Sequence, residues 1–462
     1  MDSLVTSPDS CKLCRHDVID KKEVISKLPD SLLHHILSFL STIDAIRTSV
    51  LARRWKFLWT YLSDFNIEVM LSSSQKNETQ KQMINYLFNQ VDTILEKAKF
   101  IKKFRFVAYG IPVDVDQANS WIFALLKHKI QELELSLYLR SSFPLANTLP
   151  VPTSLSMMNL EFGCVLKVPT CIHFPSLKTL TLQYITFIDK TSAQQLFSSC
   201  PVLQKLTLCS CDWKNVRNVS IKIPTLTTLI IEDDFSRDDL LNCKVTIDAI
   251  NLVSLSCTNY LSIEFILINL TTLAYAYIDV SNGCSSLAQY AISRAVELLS
   301  GICHVKSLVL SKDTLEILSR AENLLMRLPT FHNLIHFSVD QGMYDFTGGA
   351  LMDILEKFPN LEVLDIVDGF DPDFCLDGEA WTLSTVPHCL KSSLKLVSVW
   401  NFFGEVAEMQ LLGFLLKHAT KLRRIKMFFV GCLSADLKKQ ADISNQLQVM
   451  RKGLASCAVE LR

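Results

Sequence analysis

Glycine and proline are scarce in this 462-residue chain, 13 and 14 residues against a hydrophobic share of 49%. That excludes a collagen-like, linker-like or low-complexity polymer and points to a folded chain with a continuous core. Excess charge of either sign is missing as well. With 46 basic residues against 47 acidic the formal net charge is -1, so no basic field is available to track a phosphate backbone and no nucleic acid partner is expected. No basic segment followed by an apolar run stands near Met1, so no secretory signal is expected and residence is read as cytoplasmic and/or nuclear. The 15 cysteines are an odd number without regular spacing, which suits reduced thiols used as small core residues better than a disulfide framework. The most membrane-like stretch, Tyr260 to Val280, is interrupted by Glu264, Asn269 and two threonines and alternates as strands do, so no membrane partner is expected either.

Catalytic signatures are also missing. The chain holds no Gly-x-Ser-x-Gly, His-Glu-x-x-His, phosphate-loop or dinucleotide motif, and no cysteine and histidine array of the RING kind. Cys11-x-x-Cys14 with His16 has half of a zinc spacing, but no second pair follows at a suitable distance. His388-Cys389 stands ahead of a basic residue as in cysteine phosphatase loops. That residue is Lys395 rather than a forked arginine, and the loop glycines that would offer N–H groups to phosphate are missing. The chain is therefore read as non-enzymatic, with no cofactor and no metal.

What is present is a repeat. A six-residue pattern, apolar at its first, fourth and sixth positions, recurs from about residue 101 to 427. Leu177, Leu180 and Leu182 carry it in FPSLKTLTL, Leu203, Leu206 and Leu208 in CPVLQKLTL, and Leu361, Leu364 and Ile366 in FPNLEVLDI. The same frame takes Ile101, Ile130, Met157, Leu226, Leu252, Leu270, Val305, Leu334, Leu394 and Leu422 as first positions. The mean step is about 27 residues, within the range of leucine-rich repeats. Such a unit is a strand with alternate side chains turned inward, followed by a return segment that starts the next parallel strand. Each unit leaves an apolar face that only its neighbours cover, so stacking into a solenoid with strands on the concave side is obligatory. Some returns read as amphipathic helices, with Trp121, Ile122, Leu125 and Leu126 on one face. The asparagine that usually follows the strand in this repeat class is mostly missing, which puts its side-chain ladder in doubt. Strand alternation places Lys205, Glu232, His336, Asp340, Asp365, Trp400, Arg424 and Lys426 on the concave side, as candidates for contact with a protein substrate.

Residues 28 to 65 differ from everything after them. LPDSLLHHILSFL places Leu32, Leu33, Ile36, Leu37 and Leu40 on one helical face behind Pro29 and a capping Asp30 or Ser31. Thr42 is the expected cap of a second helix carrying Ile43, Ile46 and Val50, and a third apolar set follows at Leu51, Trp55, Leu58, Trp59 and Leu62. Three short helices in so few residues hold more large apolar side chains than their own core hides, so a partner is expected to cover some of them.

The same residues carry a resemblance. Leu28-Pro29-Asp30, the paired leucines, Ile36-Leu37, and Ser49-Val50-Leu51-Ala52-Arg53-Arg54-Trp55-Lys56 with Leu58-Trp59 resemble the F-box of plant F-box proteins. Farther on, FPNLEVLDI, Val386-Pro387-His388-Cys389-Leu390, Gly404-Glu405 and the run Leu411 to Leu422 resemble the FBD domain that closes many of them, although the usual charged residues after Gly404 are thin and Phe402-Phe403 replaces more polar ones. The resemblance implies an α/β chain: a disordered tail over 1–23, an all-helical F-box over 24–65, a connecting helix over 66–100, a leucine-rich-repeat solenoid over 101–375, an FBD-like continuation of the repeats over 376–430 and a C-terminal segment over 431–462. It implies a non-catalytic subunit of a Skp-cullin-F-box ubiquitin ligase, bound through the F-box to a Skp-type adaptor, and through that to a cullin, and through the repeats to a protein substrate. Leu28, Pro29, Leu32, Leu33, Ile36, Leu37, Val50, Leu51 and Trp55 would then contact the adaptor or shape the face that does. The alternative is a leucine-rich-repeat scaffold that recruits no ligase.

Overall fold

The computed structural model describes residues 28–70, 78–145, 150–169, 171–187, 189–213, 216–233, 243–259, 263–280, 288–319, 327–340, 348–367, 386–434, 436–450 and 457–462. The expected tail with Cys11, Cys14 and His16, and residues 376–385 of the FBD-like segment, lie outside them. The chain divides into two compact units, Met1–Ile67 with Gln75–Phe104 and Glu68–Ser74 with Arg105–Arg462.

In the first unit α1 (Asp30–Leu37) starts without a side-chain cap. Neither Asp30 nor Ser31 caps it; the Pro29 carbonyl accepts the N–H groups of Leu32 and Leu33 at 3.0 and 3.1 Å, and Asp30 instead receives Arg54 Nε at 3.2 Å. Helix α2 (Thr42–Arg47) is capped by Ser41, whose hydroxyl oxygen accepts the Asp44 N–H at 3.2 Å. Thr42, the expected cap, sits one residue too far in; it is buried and accepts the Asn66 N–H at 2.7 Å. Of the third apolar set, Trp55, Leu58 and Trp59 lie in a 3-10 helix, Arg53–Tyr61, while Leu51 and Leu62 flank it. Three residues per turn stack i and i+3, which turns Trp55 and Leu58 to the same buried side along with Trp59.

The segment read as a connecting helix holds a strand first. β1 (Asp64–Met70) precedes α3 (Glu78–Lys97). Phe65, Ile67 and Val69 are buried in alternation with exposed residues, the period of two that a strand requires and a helix does not produce.

The remaining strands of the main sheet are β2 (Lys103–Val113), β3 (Glu132–Leu139), β4 (Met157–Glu161), β5 (Thr179–Gln183), β6 (Lys205–Cys209), β7 (Thr228–Glu232) and β8 (Ser254–Asn259). They continue with β9 (Tyr275–Val280), β10 (Ser307–Ser311), β11 (His336–Asp340), β12 (Val363–Ile366), β13 (Leu396–Phe402), β14 (Arg424–Phe429) and β15 (Ala458–Leu461). All 15 lie side by side in chain order, and the ladders from β3 onward are parallel. Thirteen are the strands of the sequence repeat; β1 and β15 extend the sheet at its two ends.

Register corrects the repeat frame twice. Met158 pairs with Leu180, so the first position of that unit is Leu155, not Met157. Leu255 pairs with Ala276, so the frame begins at Leu273, not Leu270. Both errors come from a neighbouring apolar residue that satisfied the pattern locally. The returns are more varied than helices or irregular chain. Helices Val115–Lys127 and Val406–His418 lie among them, but the returns around residues 218–268 build a second parallel sheet, Asn218–Lys222, Cys243–Asp248 and Ile263–Ile268.

A side-chain ladder exists at a different place from the consensus asparagine. The residue just before the first apolar position bonds a carbonyl of the preceding unit again and again. Ser176 donates to the Thr153 carbonyl at 2.6 Å, Thr225 to Leu203 at 2.8 Å and Asn251 to Pro224 at 2.8 Å. Thr272 donates to Leu252 at 2.9 Å, Asn333 to His304 at 3.3 Å and Asn360 to His332 at 2.9 Å. Each satisfies a carbonyl at the sharp turn into the strand, where the backbone has no ladder partner of its own.

Candidate binding surfaces

On the F-box-like module the apolar residues separate into two sets. Leu33, Leu37 and Trp55 are buried, Leu33 and Leu37 completely, and hold the helices together. Leu28 is half-buried, while Pro29, Leu32, Ile36, Val50 and Leu51 are exposed. The single helical face expected of α1 is therefore two adjacent stripes. Residues 33 and 37 point in, and residues 32 and 36, one position back, point out. Val50 is 87% exposed and Leu51 66%. Phe39, Leu40, Phe57 and Tyr61, not singled out by sequence, are exposed on the same module. Only their number signalled them, since so small a core has no room for all its large side chains.

On the repeat unit, every substrate candidate lies on the sheet face opposite the core leucines. Lys205, His336 and Arg424 occupy one cross-strand row, running through Thr228, Ser254, Tyr275, Ser307, Val363 and Leu396. Asp365 and Lys426 share the next outward row, with Ser398 between them. Glu232 and Asp340 stand one row farther along their strands. Some of these side chains are brought together: His336 Nε2 lies 2.6 Å from Asp365 Oδ2 and its Nδ1 3.3 Å from Ser307 Oγ. Trp400 stacks on Phe428, ring centroids 3.7 Å apart and planes 4° from parallel, with the Arg462 guanidinium 5.8 Å from the Phe428 ring. Arg424 pairs with Glu460 at 3.1 Å. Lys205 and Glu232 are remote from both groups along the sheet.

Tyr275, Tyr277 and Asp279 were missed because of the Leu270 frame. Counting from Leu270 turns these residues toward the core; counting from Leu273 turns them out, because an odd slip along a strand exchanges its faces. Tyr277 donates its hydroxyl to Asp340 Oδ2 at 3.0 Å.

Among the described residues no group of three His, Cys, Asp or Glu side chains is placed to hold a metal ion, and no helix is long and apolar enough to cross a membrane.

A helical module with an exposed apolar surface, followed by stacked parallel-strand repeats, defines an F-box protein of the leucine-rich-repeat class. Comparison with known families agrees: residues 25–66 match the F-box domain and residues 96–454 match the family described as At1g61320/AtMIF1, LRR domain. The chain belongs to the plant F-box/leucine-rich-repeat family. It is 26% identical over 96% of both chains to F-box/LRR-repeat protein At4g14096 of Arabidopsis thaliana. It is 29% identical to F-box/LRR-repeat protein 13 of the same plant, over 92% of each. To FBD-associated F-box protein At4g10400, also of Arabidopsis thaliana, it is 27% identical over 86% of this chain and 91% of that one.

Proposed function

We propose that this chain is the substrate-recognition subunit of a Skp-cullin-F-box ubiquitin ligase, its F-box seated on a Skp-type adaptor and its repeats holding a protein substrate. The observation that carries the reading is the exposure of Leu32, Ile36, Val50 and Leu51 on a module of the F-box family. Burying such a set against a partner contributes about 25 cal/mol per Å² of apolar surface removed from water. In this reading the chain performs no chemistry; transfer of ubiquitin belongs to the partners the adaptor recruits, and the chain works where they work, in cytoplasm or nucleus.

The test is a pull-down of the full chain against Skp-type adaptors, beside a variant carrying Val50→Glu and Leu51→Glu. Both side chains project into water, so the variant keeps its circular dichroism and melting temperature while losing adaptor binding. If the intact, folded chain binds none of several such adaptors, the ligase reading falls and a repeat scaffold without ligase recruitment replaces it.

A further inference from the structure

The strands β8 to β12 contain no lysine or arginine, yet their outward positions carry Asp279, Asp340 and Asp365 beside Tyr275 and Tyr277. Within this region one cross-strand row reads Asp279, Ser311, Asp340: Ser311 pairs with Asp340, and Asp279 follows directly on the Ile278–Leu310 pair. Two carboxylates thus stand two strand spacings apart, roughly 10 Å between their backbones, with only a small serine between them. Tyr277 spans the same gap one row back, its hydroxyl on Asp340.

Asp279 is the anomaly. It is 7% exposed, and its Oδ1 atom is buried without a hydrogen-bond partner. Burial, with Asp313 and Asp340 nearby, raises its pKa, and a hydrogen bond from Ser311 only partly opposes this. A role as cap for the helix Lys312–Ser319 does not account for it, because Ser311 Oγ already accepts the Thr314 N–H at 3.2 Å. An ionised carboxylate with an orphaned oxygen is costly in this setting unless it takes up a proton or a cation meets it. Asp340, half-buried in the same cross-strand row, is the more exposed carboxylate and the one such a cation would meet first, and the Tyr277 ring offers a flanking π face.

We propose that Tyr277, Asp279 and Asp340 form a slot for one basic side chain, arginine in preference to lysine, of the protein held by the repeats. This deepens the proposed function and rests on its assignment of the repeats to substrate binding. The planar guanidinium suits two carboxylates set on either side of a serine in one cross-strand row, since it donates in two directions at once.

The experiment passes a degenerate nonapeptide library over the immobilised full chain and sequences what is retained, for wild type, Asp279→Asn and Asp340→Asn. Wild type selects arginine, and lysine more weakly, at one position. Each variant loses that selection by about ten-fold, the worth of one charge-assisted hydrogen bond. Asp340→Asn changes the more exposed carboxylate, so its fold is not at stake, and melting curves verify both variants. Retained peptides without basic selection, or selection that survives both substitutions, overturn the proposal. The same preparations are assayed for adaptor binding. Adaptor capture without basic selection removes the slot and leaves the ligase reading, and basic selection without adaptor capture does the reverse.

Discussion

Glu408 turns its carboxylate back onto Gly404, accepting that residue's N–H at 2.6 Å and those of Phe403 and Glu405 at 3.1 and 3.0 Å through the same oxygen. The side chain is 1% exposed, and it closes a capping box at the start of Val406–His418. Gly404 has φ +75, and a β-carbon there would run into the Cδ1 atom of Ile443. The Gly404-Glu405 pair that marks the FBD resemblance is thus a helix entry that favours glycine. Glu408→Ala orphans three N–H groups and is expected to cost about 2–3 kcal/mol. Gly404→Ala is expected to cost at least about 1 kcal/mol from backbone strain alone. Hydrogen exchange checks both: amides 403–405 and the first turn of the helix lose protection, while β3 to β6 keep theirs.

Leu32 and Leu33 are neighbours in sequence and opposites in role. Leu33 is fully buried and Leu32 is 49% exposed. Leu33→Ala is expected to cost about 2–5 kcal/mol by leaving a cavity, and Leu32→Ala less than about 1 kcal/mol. Denaturant titrations of the two variants separate the effects: the Leu33 midpoint falls and the Leu32 midpoint stays near wild type.

These cases show what was legible in the sequence. Core leucines were, because Leu-x-x-Leu-x-Leu forces alternate side chains inward whatever the turns do, and thirteen repeats located thirteen strands. Facing was legible where the frame was right or slipped by an even number of residues, as at Met157. In LTTLAYAYIDV both Leu270 and Leu273 fit, and the choice decided whether Tyr277 and Asp279 were read as core or surface. In the F-box-like helices Leu32 and Leu33 could not be separated by pattern, since an apolar arc of that width says that some residues are covered, not which. The turn ladder was illegible for another reason: its members are Ser, Thr and Asn in turn, so no single letter recurs.

The buried thiols give a pH dependence. Burial pushes Cys200 up to about 11 and Cys257 and Cys389 up to about 12. A thiol held protonated in the fold binds its proton more tightly there than in the unfolded chain. Its contribution is therefore whole below the ordinary value of 9.0 and is lost as pH rises from there through about 11 to 12. Unfolding midpoints are expected to fall above pH 9, and Cys257→Ala to flatten that fall. Alkylation with iodoacetamide of the native chain at pH 8, read by mass spectrometry, is expected to label the exposed Cys171 while sparing Cys200, Cys257 and Cys389. Equal labelling of all four would contradict the burial argument.

The turn ladder predicts a graded, distributed loss. Asn360 donates to the His332 carbonyl at 2.9 Å and Asn251 to Pro224 at 2.8 Å, each tying one repeat to the one before it. A side-chain bond of this kind contributes about 1 kcal/mol, and Asn251→Ala and Asn360→Ala are expected to cost that much each. Because a repeat contacts chiefly its neighbours, stability is a sum of local terms, and sites more than 100 residues apart in sequence should not couple. The double variant is therefore expected to lose about 2 kcal/mol, the sum of the two. Hydrogen exchange should show the protection lost around strands β7 and β8 for one variant and around β11 and β12 for the other. A loss spread evenly over the whole sheet in either single variant would mean that the array unfolds as one block and that the ladder does not act between neighbours.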